Sequence, residues 1–174
     1  NLQYSWQLLT GDIDLKDESI RSTALTSPNL VLMPGILTPG QEYLLQLQAG
    51  CSQGNAGKAN VVLVVNKAPV GGSFVVSPTT GVAFDTKFTL SCSKWVDDIE
   101  DLPLQYSYHI GKAENMQALQ PLSGVVIFNV LKVFLTPTVN ASDFLIARVC
   151  DSLGACATPP SVSVQVAQPP SSVS

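Results

Sequence analysis

Thr86-Lys87-Phe88-Thr89-Leu90-Ser91-Cys92 alternates polar and apolar residues with a period of two. Successive side chains of a strand point to opposite faces, so Phe88, Leu90 and Cys92 share one face and the polar residues take the other. The stretch therefore predicts a half-buried β-strand over 86–93. Working outward, similar runs predict strands at 72–77, 103–110, 124–134, 143–150 and 157–166, and upstream at 2–9, 29–33, 42–49 and 59–66. Gly71-Gly72, Pro78, Gly81, residues 151–154 and Pro159-Pro160 supply the turn chemistry between them. Helix is confined to a turn or two at 12–23 and at 111–119, because twelve Gly and twelve Pro argue against anything longer. The predicted fold class is all-β, with antiparallel sheets packed as a sandwich.

The chain contains a repeat. Leu2-Gln3-Tyr4-Ser5 recurs as Leu104-Gln105-Tyr106-Ser107, at an offset of 102. Tyr43-Leu44-Leu45 aligns with Phe144-Leu145-Ile146, and Val61, Leu63 and Val65 with Val162, Val164 and Val166, both at 101. That spacing matches the roughly 100 residues of an immunoglobulin-like or fibronectin-III-like sandwich. Residues 72–102 precede the repeated segment in the second copy and have no counterpart in the first. The expectation is tandem sandwiches: a first one over 1–66 holding later strands only, a complete one over 67–167, and a Pro/Ser linker over 168–174. Leu37-Thr38-Pro39-Gly40-Gln41-Glu42-Tyr43 has the form of a tyrosine corner, in which a Tyr hydroxyl bonds to backbone just upstream. At the 101 offset the second copy has Phe144 there.

Composition excludes several functions. Net charge is −4, and only 13% of residues are charged, about half the usual share of roughly 25%. Seven Lys and two Arg are scattered singly, so no basic stripe exists to neutralise phosphates and no nucleic-acid partner is expected. No apolar run approaches about 18 residues, so no membrane contact by this segment is expected. His109 is the sole histidine, which leaves neither a zinc site nor a general base with a partner in view. Ser91-Cys92-Ser93-Lys94 matches S-x-x-K without the companion motifs such a nucleophile needs. No catalytic or cofactor-binding residue is predicted.

The segment from Asn66-Lys67-Ala68-Pro69-Val70-Gly71-Gly72 through Val76-Ser77-Pro78, then Cys92, Trp95-Val96-Asp97-Asp98 and Leu102-Pro103-Leu104-Gln105-Tyr106, resembles a known family. It is similar to the receptor-for-egg-jelly (REJ) module of polycystin-type membrane proteins, whose pattern is roughly N-x-x-P-x-G-G-x-C-x-V-x-P, then C-x-x-W-x-D and P-L-x-Y. The resemblance is close over about 60–110 and looser elsewhere. It implies the extracellular part of a large receptor-like protein built of fibronectin-like units, associated with polycystin channels and often placed on cilia, flagella or sperm. Phe74 stands where many members carry a Cys, the family partner implied for Cys92.

Four cysteines suggest disulfides in an oxidising compartment. Cys150 and Cys156 flank a hairpin-like turn and are expected to pair. A bridge between Cys51 and Cys92 is the remaining possibility. Asn140-Ala141-Ser142 is a glycosylation sequon, with Asn140 the acceptor. Asp97, Asp98, Glu100 and Asp101 form the densest charge cluster. They are expected to be a solvated loop without a tightly bound metal, yet they are candidates for weak Ca²⁺ binding, with Asp85 or Asp151 as additional ligands.

The expected function is a non-catalytic structural and interaction module, acting in spacing, adhesion or ligand sensing. Its partners would be neighbouring domains of the same chain, a polycystin-type channel subunit or an extracellular glycoprotein. The alternatives are a carbohydrate-binding or adhesive sandwich, for which Trp95 is the one loop-proximal Trp of the second copy, and a hydrolytic fragment.

Overall fold

The structure is a computed structural model that describes residues 2–51, 54–112, 115–138 and 143–170. The chain divides into two compact units, residues 1–67 and 68–174.

In the first unit, β1 (Leu2–Thr10), β2 (Glu42–Cys51) and β3 (Gly57–Val64) form an antiparallel sheet in the order β1-β2-β3. Period-two alternation places Tyr4, Trp6 and Leu8 on one face, opposite Ala49, Leu47 and Leu45. The connection from 11 to 41 folds back beside this sheet. Trp6 donates its backbone N–H to Leu25 O at 2.9 Å and its indole N–H to Ser27 O at 3.1 Å, and Leu15 is buried. The helical expectation at 12–23 reduces to a 3-10 turn at Glu18–Ile20, whose Asp17 cap accepts from Ser19 N–H at 2.9 Å. The strand expected at 29–33 reduces to a bridge between Arg21 and Leu32. Pro28 and Pro34 bracket it, and neither has an N–H with which to extend a ladder.

The second unit is a two-sheet sandwich. One sheet holds β4 (Ser73–Ser77), β6 (Lys87–Ser93) and β9 (Val130–Phe134) in the order β4-β6-β9. The other runs β5-β12-β10-β7-β8, with β5 (Thr80–Val82), β7 (Gln105–Lys112), β8 (Asn115–Pro121), β10 (Asp143–Cys150) and β12 (Val162–Ala167), while β11 (Cys156–Ala157) pairs with β10. Every pairing is antiparallel except β5 with β12, which is parallel. The inward face of β6 is the one the alternation predicts: Phe88, Leu90 and Cys92 are each 0% exposed. They meet Phe74 and Val76 of β4 in their own sheet, and Tyr108, Leu145, Ala147, Val149, Val164 and Val166 from the opposing one. The sandwich expectation thus holds, and the core is one contiguous cluster between the sheets.

Several elements differ from expectation for identifiable reasons. The helical turn expected at 111–119 is not formed; residues 115–119 belong to edge strand β8, with Pro121 at its end, where no ladder donor is needed. The long strand expected over 124–134 is split, because the chain changes sheets. Val126 bridges Tyr106 in one sheet and Val130 pairs with Ser91 in the other, with the Asn129 amide donating to Cys92 O at 2.9 Å at the crossing. Pro159-Pro160 divides the strand expected at 157–166 into β11 and β12. The entering strand likewise crosses between sheets, pairing as β4 with β6 and then as β5 with β12.

Strand register refines the repeat. Leu8 faces Leu45, and Ile110, its counterpart at an offset of 102, faces Leu145, so the middle strands are related by 100 rather than 101. Leu45, Leu47 and Ala49 then correspond to the buried Leu145, Ala147 and Val149. A one-residue slip would turn every side chain to the wrong face. The place of Tyr43 in the second unit therefore belongs to Asp143, not Phe144. The outer strands keep 101, with Val61 and Val162 facing those same positions.

Candidate functional site

The tyrosine corner of the first unit is built as the sequence suggests. Tyr43, fully buried at the start of β2, accepts the Thr38 backbone N–H on its hydroxyl at 2.9 Å. The same hydroxyl donates to the carboxylate of Asp12, which also receives the Thr38 hydroxyl at 2.8 Å. Sequence reading did not find Asp12, because nothing local ties it to a Tyr 31 residues away. The Tyr43 and Thr38 hydroxyls hold the Asp12 carboxyl below its ordinary range. That contribution is present above the unfolded carboxyl pKa and is lost as pH falls through the lowered folded value. Tyr43→Phe is expected to cost about 1–2 kcal/mol, because the Thr38 N–H loses the buried Tyr43 hydroxyl. It should also flatten the acid limb of the first unit's stability profile, as followed by Trp6 fluorescence in urea at pH 3 and pH 6.

In the second unit the motif residues meet around the turn that follows β6. Val96 and Val70 exchange both backbone hydrogen bonds, at 2.9 and 3.0 Å, which pins Trp95 over the chain at Gly72. A Cβ on Gly72 would lie 2.1–2.3 Å from the indole ring, so only glycine fits beneath it. This contact gives Gly72 and the Trp of the motif their structural reason, while Gly71 is needed for its left-handed backbone, φ +74°. Trp95 is packed against the core, in a structural place rather than an exposed one.

The acidic turn comes next. Asp97 accepts the Asp98 N–H on its own carboxylate at 3.0 Å, and Ile99–Asp101 form a 3-10 turn closed by Asp101 N–H to Asp98 O at 3.1 Å. Asp97, Asp98 and Asp101 each present a carboxylate oxygen within 4.8 Å of the others. Glu100 is exposed and Asp85 lies elsewhere, so neither belongs to this set. Asp101 is only 9% exposed. Burial, then the negative charges of Asp97, Asp151, Asp98 and Glu100, push its carboxyl above the ordinary range.

Asp151 sits at the neighbouring hairpin. Its Oδ1 accepts the N–H groups of Leu153 and Ala155, both at 2.9 Å, and Ser152 N–H donates to Asp101 O at 2.8 Å. Cys150 and Cys156 face each other across this hairpin and form the disulfide expected of them, with Cα atoms 4.0 Å apart. The Cys51–Cys92 bridge is not formed: both thiols are free, Cys51 exposed and Cys92 enclosed in the second unit's core. Burial pushes the Cys92 thiol up, and the Tyr108 hydroxyl beside it is pushed up as well. Phe74 lies directly opposite Cys92 on β4, in ring contact with Tyr108 at 6.2 Å. It fills from the neighbouring strand the place where the resemblance implied a partner cysteine. His109 is half-buried on β7, and burial, then the Arg148 charge, lower its pKa. Asn140 and residues 171–174 of the expected linker lie outside the described residues.

The family model described as the REJ domain matches residues 1–174. The chain belongs to the REJ domain family. Among curated relatives, the REJ segment is 31% identical over 90 residues to human "Polycystin-1-like protein 1", covering 52% of this chain and 3% of that protein. It is 28% identical over 104 residues to the mouse "Polycystin family receptor for egg jelly", covering 53% of this chain and 5% of that protein. The segment thus corresponds to a small fraction of either relative's length. Among solved structures, the fibronectin(III)-like modules of Clostridium thermocellum CbhA match at a TM-score of 0.46 with 16% identity, covering 95% of this chain and 78% of that one. The FN1–FN3 domains of chicken CNTN1 match at 0.38, also with 16% identity, covering 96% and 57%. The all-β, fibronectin-III-like or immunoglobulin-like assignment rests on the two sheets and their strand order rather than on these scores.

Proposed function

We propose that this REJ segment is a non-catalytic structural and interaction module in the extracellular part of a large polycystin-type receptor-like protein, serving spacing and adhesion or ligand sensing. The observation that carries the reading is the REJ match along the whole chain, joined to relatives that are themselves polycystin-family proteins. The Cys150–Cys156 disulfide supports an oxidising, extracytoplasmic setting. A rigid two-sheet core with its glycine, Trp and Tyr residues used in packing suits a spacer whose outer surface is left for partners. Those partners would be neighbouring domains, a polycystin-type channel subunit or an extracellular glycoprotein.

The test is to express the protein in cells with an epitope inserted between the exposed Ile127 and Phe128. Staining of intact cells, together with an Asn140-dependent mobility shift on glycosidase treatment, is the expected result. Staining that requires permeabilisation would overturn the placement.

A further inference from the structure

We propose that the second unit carries a socket for a phenol ring, the side chain of a tyrosine borne by another chain, at the place where the first unit seats its own Tyr43. The two corners correspond residue by residue. Leu37-Thr38-Pro39 recurs as Leu135-Thr136-Pro137. The next residue makes the same bond in each: Gly40 N–H donates to Val65 O at 2.8 Å, and Thr138 N–H to Val166 O at 3.0 Å. Val65 and Val166 are themselves counterparts at the offset of 101. Thr136 thus stands for Thr38, and the strand registers set Ile110 in the place of Leu8 and Asp143 in that of Tyr43. In the first unit the Tyr43 ring lies over Gly11 together with the end of Leu8, and its hydroxyl accepts the Thr38 N–H at 2.9 Å. An aspartate side chain ends where a tyrosine ring begins, so Asp143 cannot fill the same space. A cavity of about 330 Å³ is lined by the counterparts Ile110, Thr136 and Asp143, together with Gly111, Ala118 and Pro137.

The lining selects the ligand. The volume lies within the range of about 300–1,000 Å³ that small-molecule sites occupy. Ile110, Gly111, Ala118 and Pro137 offer apolar contact to one flat ring, while Gln120, Thr136 and the Asp143 carboxylate supply a few polar groups. A phenol suits that mix, because its ring buries apolar surface and its hydroxyl both donates and accepts. The first unit uses both capacities: the Tyr43 hydroxyl accepts from Thr38 and donates to Asp12. The Asp143 carboxylate in the lining disfavours an acidic ligand of similar size, since like charges repel. The ring must come from outside, because the chain's four tyrosines are otherwise placed. Tyr43 and Tyr108 are buried, Tyr106 packs against the second unit's core, and Tyr4 is half-buried on β1. The choice of a protein-borne ring rests on the reading of this segment as an interaction module.

The test follows backbone amide NMR signals of the 174-residue chain during titration with p-cresol, the tyrosine side chain alone, and with N-acetyl-tyrosinamide, the same ring on a backbone. Both are expected to shift the Gly111 and Thr136 amides saturably, with a Kd on the order of 1 mM, as suits so small a ligand. Toluene, which lacks the hydroxyl, should bind at least about tenfold more weakly, because the polar groups of the lining then go unpaired. Asp143→Tyr supplies the ring from within and should abolish the p-cresol response. If that variant does not fold, Ala118→Phe, which fills the cavity from edge strand β8, carries the same readout. No saturable shift at Gly111 and Thr136, equal binding of toluene, or a response unchanged by the filled cavity would overturn the socket. Binding of p-cresol without binding of N-acetyl-tyrosinamide would overturn a tyrosine as its occupant. None of these outcomes bears on the extracellular reading, which is tested separately by staining.

Discussion

Phe88→Ala is expected to lower the stability of the second unit by about 3–5 kcal/mol, as urea denaturation followed by Trp95 fluorescence would measure. The side chain is 0% exposed at the centre of the inward face of β6. It is enclosed by residues of both sheets, so the hole left by its ring cannot close without moving a strand. Domains of this size have only about 5–15 kcal/mol in hand, which makes this substitution able to leave a large fraction unfolded at 37 °C. Phe128→Ala is the control. Phe128 is 69% exposed in the crossing between sheets, and its loss should stay within about 0.5 kcal/mol. Comparable effects at the two positions would mean that the alternation from Thr86 to Cys92 does not define the core face.

The second large effect is expected at Gly72. Gly72→Ala places a methyl group 2.1–2.3 Å from three atoms of the Trp95 ring. The ring cannot slide aside freely, because Val96 next to it is held to Val70 by two backbone hydrogen bonds. The expected loss is about 2–3 kcal/mol, with a shifted Trp95 emission maximum. Trp95→Leu should recover much of it, giving a coupling of at least about 1 kcal/mol in a double-mutant cycle. Purely additive losses would show that the glycine is needed for some reason other than the indole above it.

How much of this was legible in the sequence depends on what each residue answers to. Phe88, Leu90 and Cys92 answer to a local period, and their shared face was readable from seven residues. Tyr43 and Thr38 lie close enough in sequence for the corner to be read, but Asp12 reaches it only through the fold of the intervening connection. β5 has three residues, too few to show any period, and its parallel partner lies more than eighty residues downstream. β8 is an edge strand that follows polar sequence, so neither apolar alternation nor a helical stripe marked it. The repeat was visible, yet aligning Tyr43 with Phe144 chose aromatic likeness over register. The ladder instead aligns it with Asp143, because Leu45 and Leu145 are the residues that share a core position. The acidic cluster was visible as charge density. The burial of Asp101 was not, since it depends on a hairpin fifty residues later docking over the turn.

The parallel pairing of β5 with β12 has a mechanical consequence. The chain enters the second unit ahead of β5 and leaves it after β12, and the two strands run in the same direction, side by side. Tension that pulls the entering and leaving chain apart draws these strands past one another along their length. Ala83 N–H to Ala167 O and Gln165 N–H to Thr79 O, each 2.9 Å long, then bear the load together. An antiparallel pair pulled from one end would surrender such bonds one at a time. Beyond β4, which is held to β6 in the other sheet, β5 and β12 are thus arranged as a shear clasp that grips hardest along the line of such a pull.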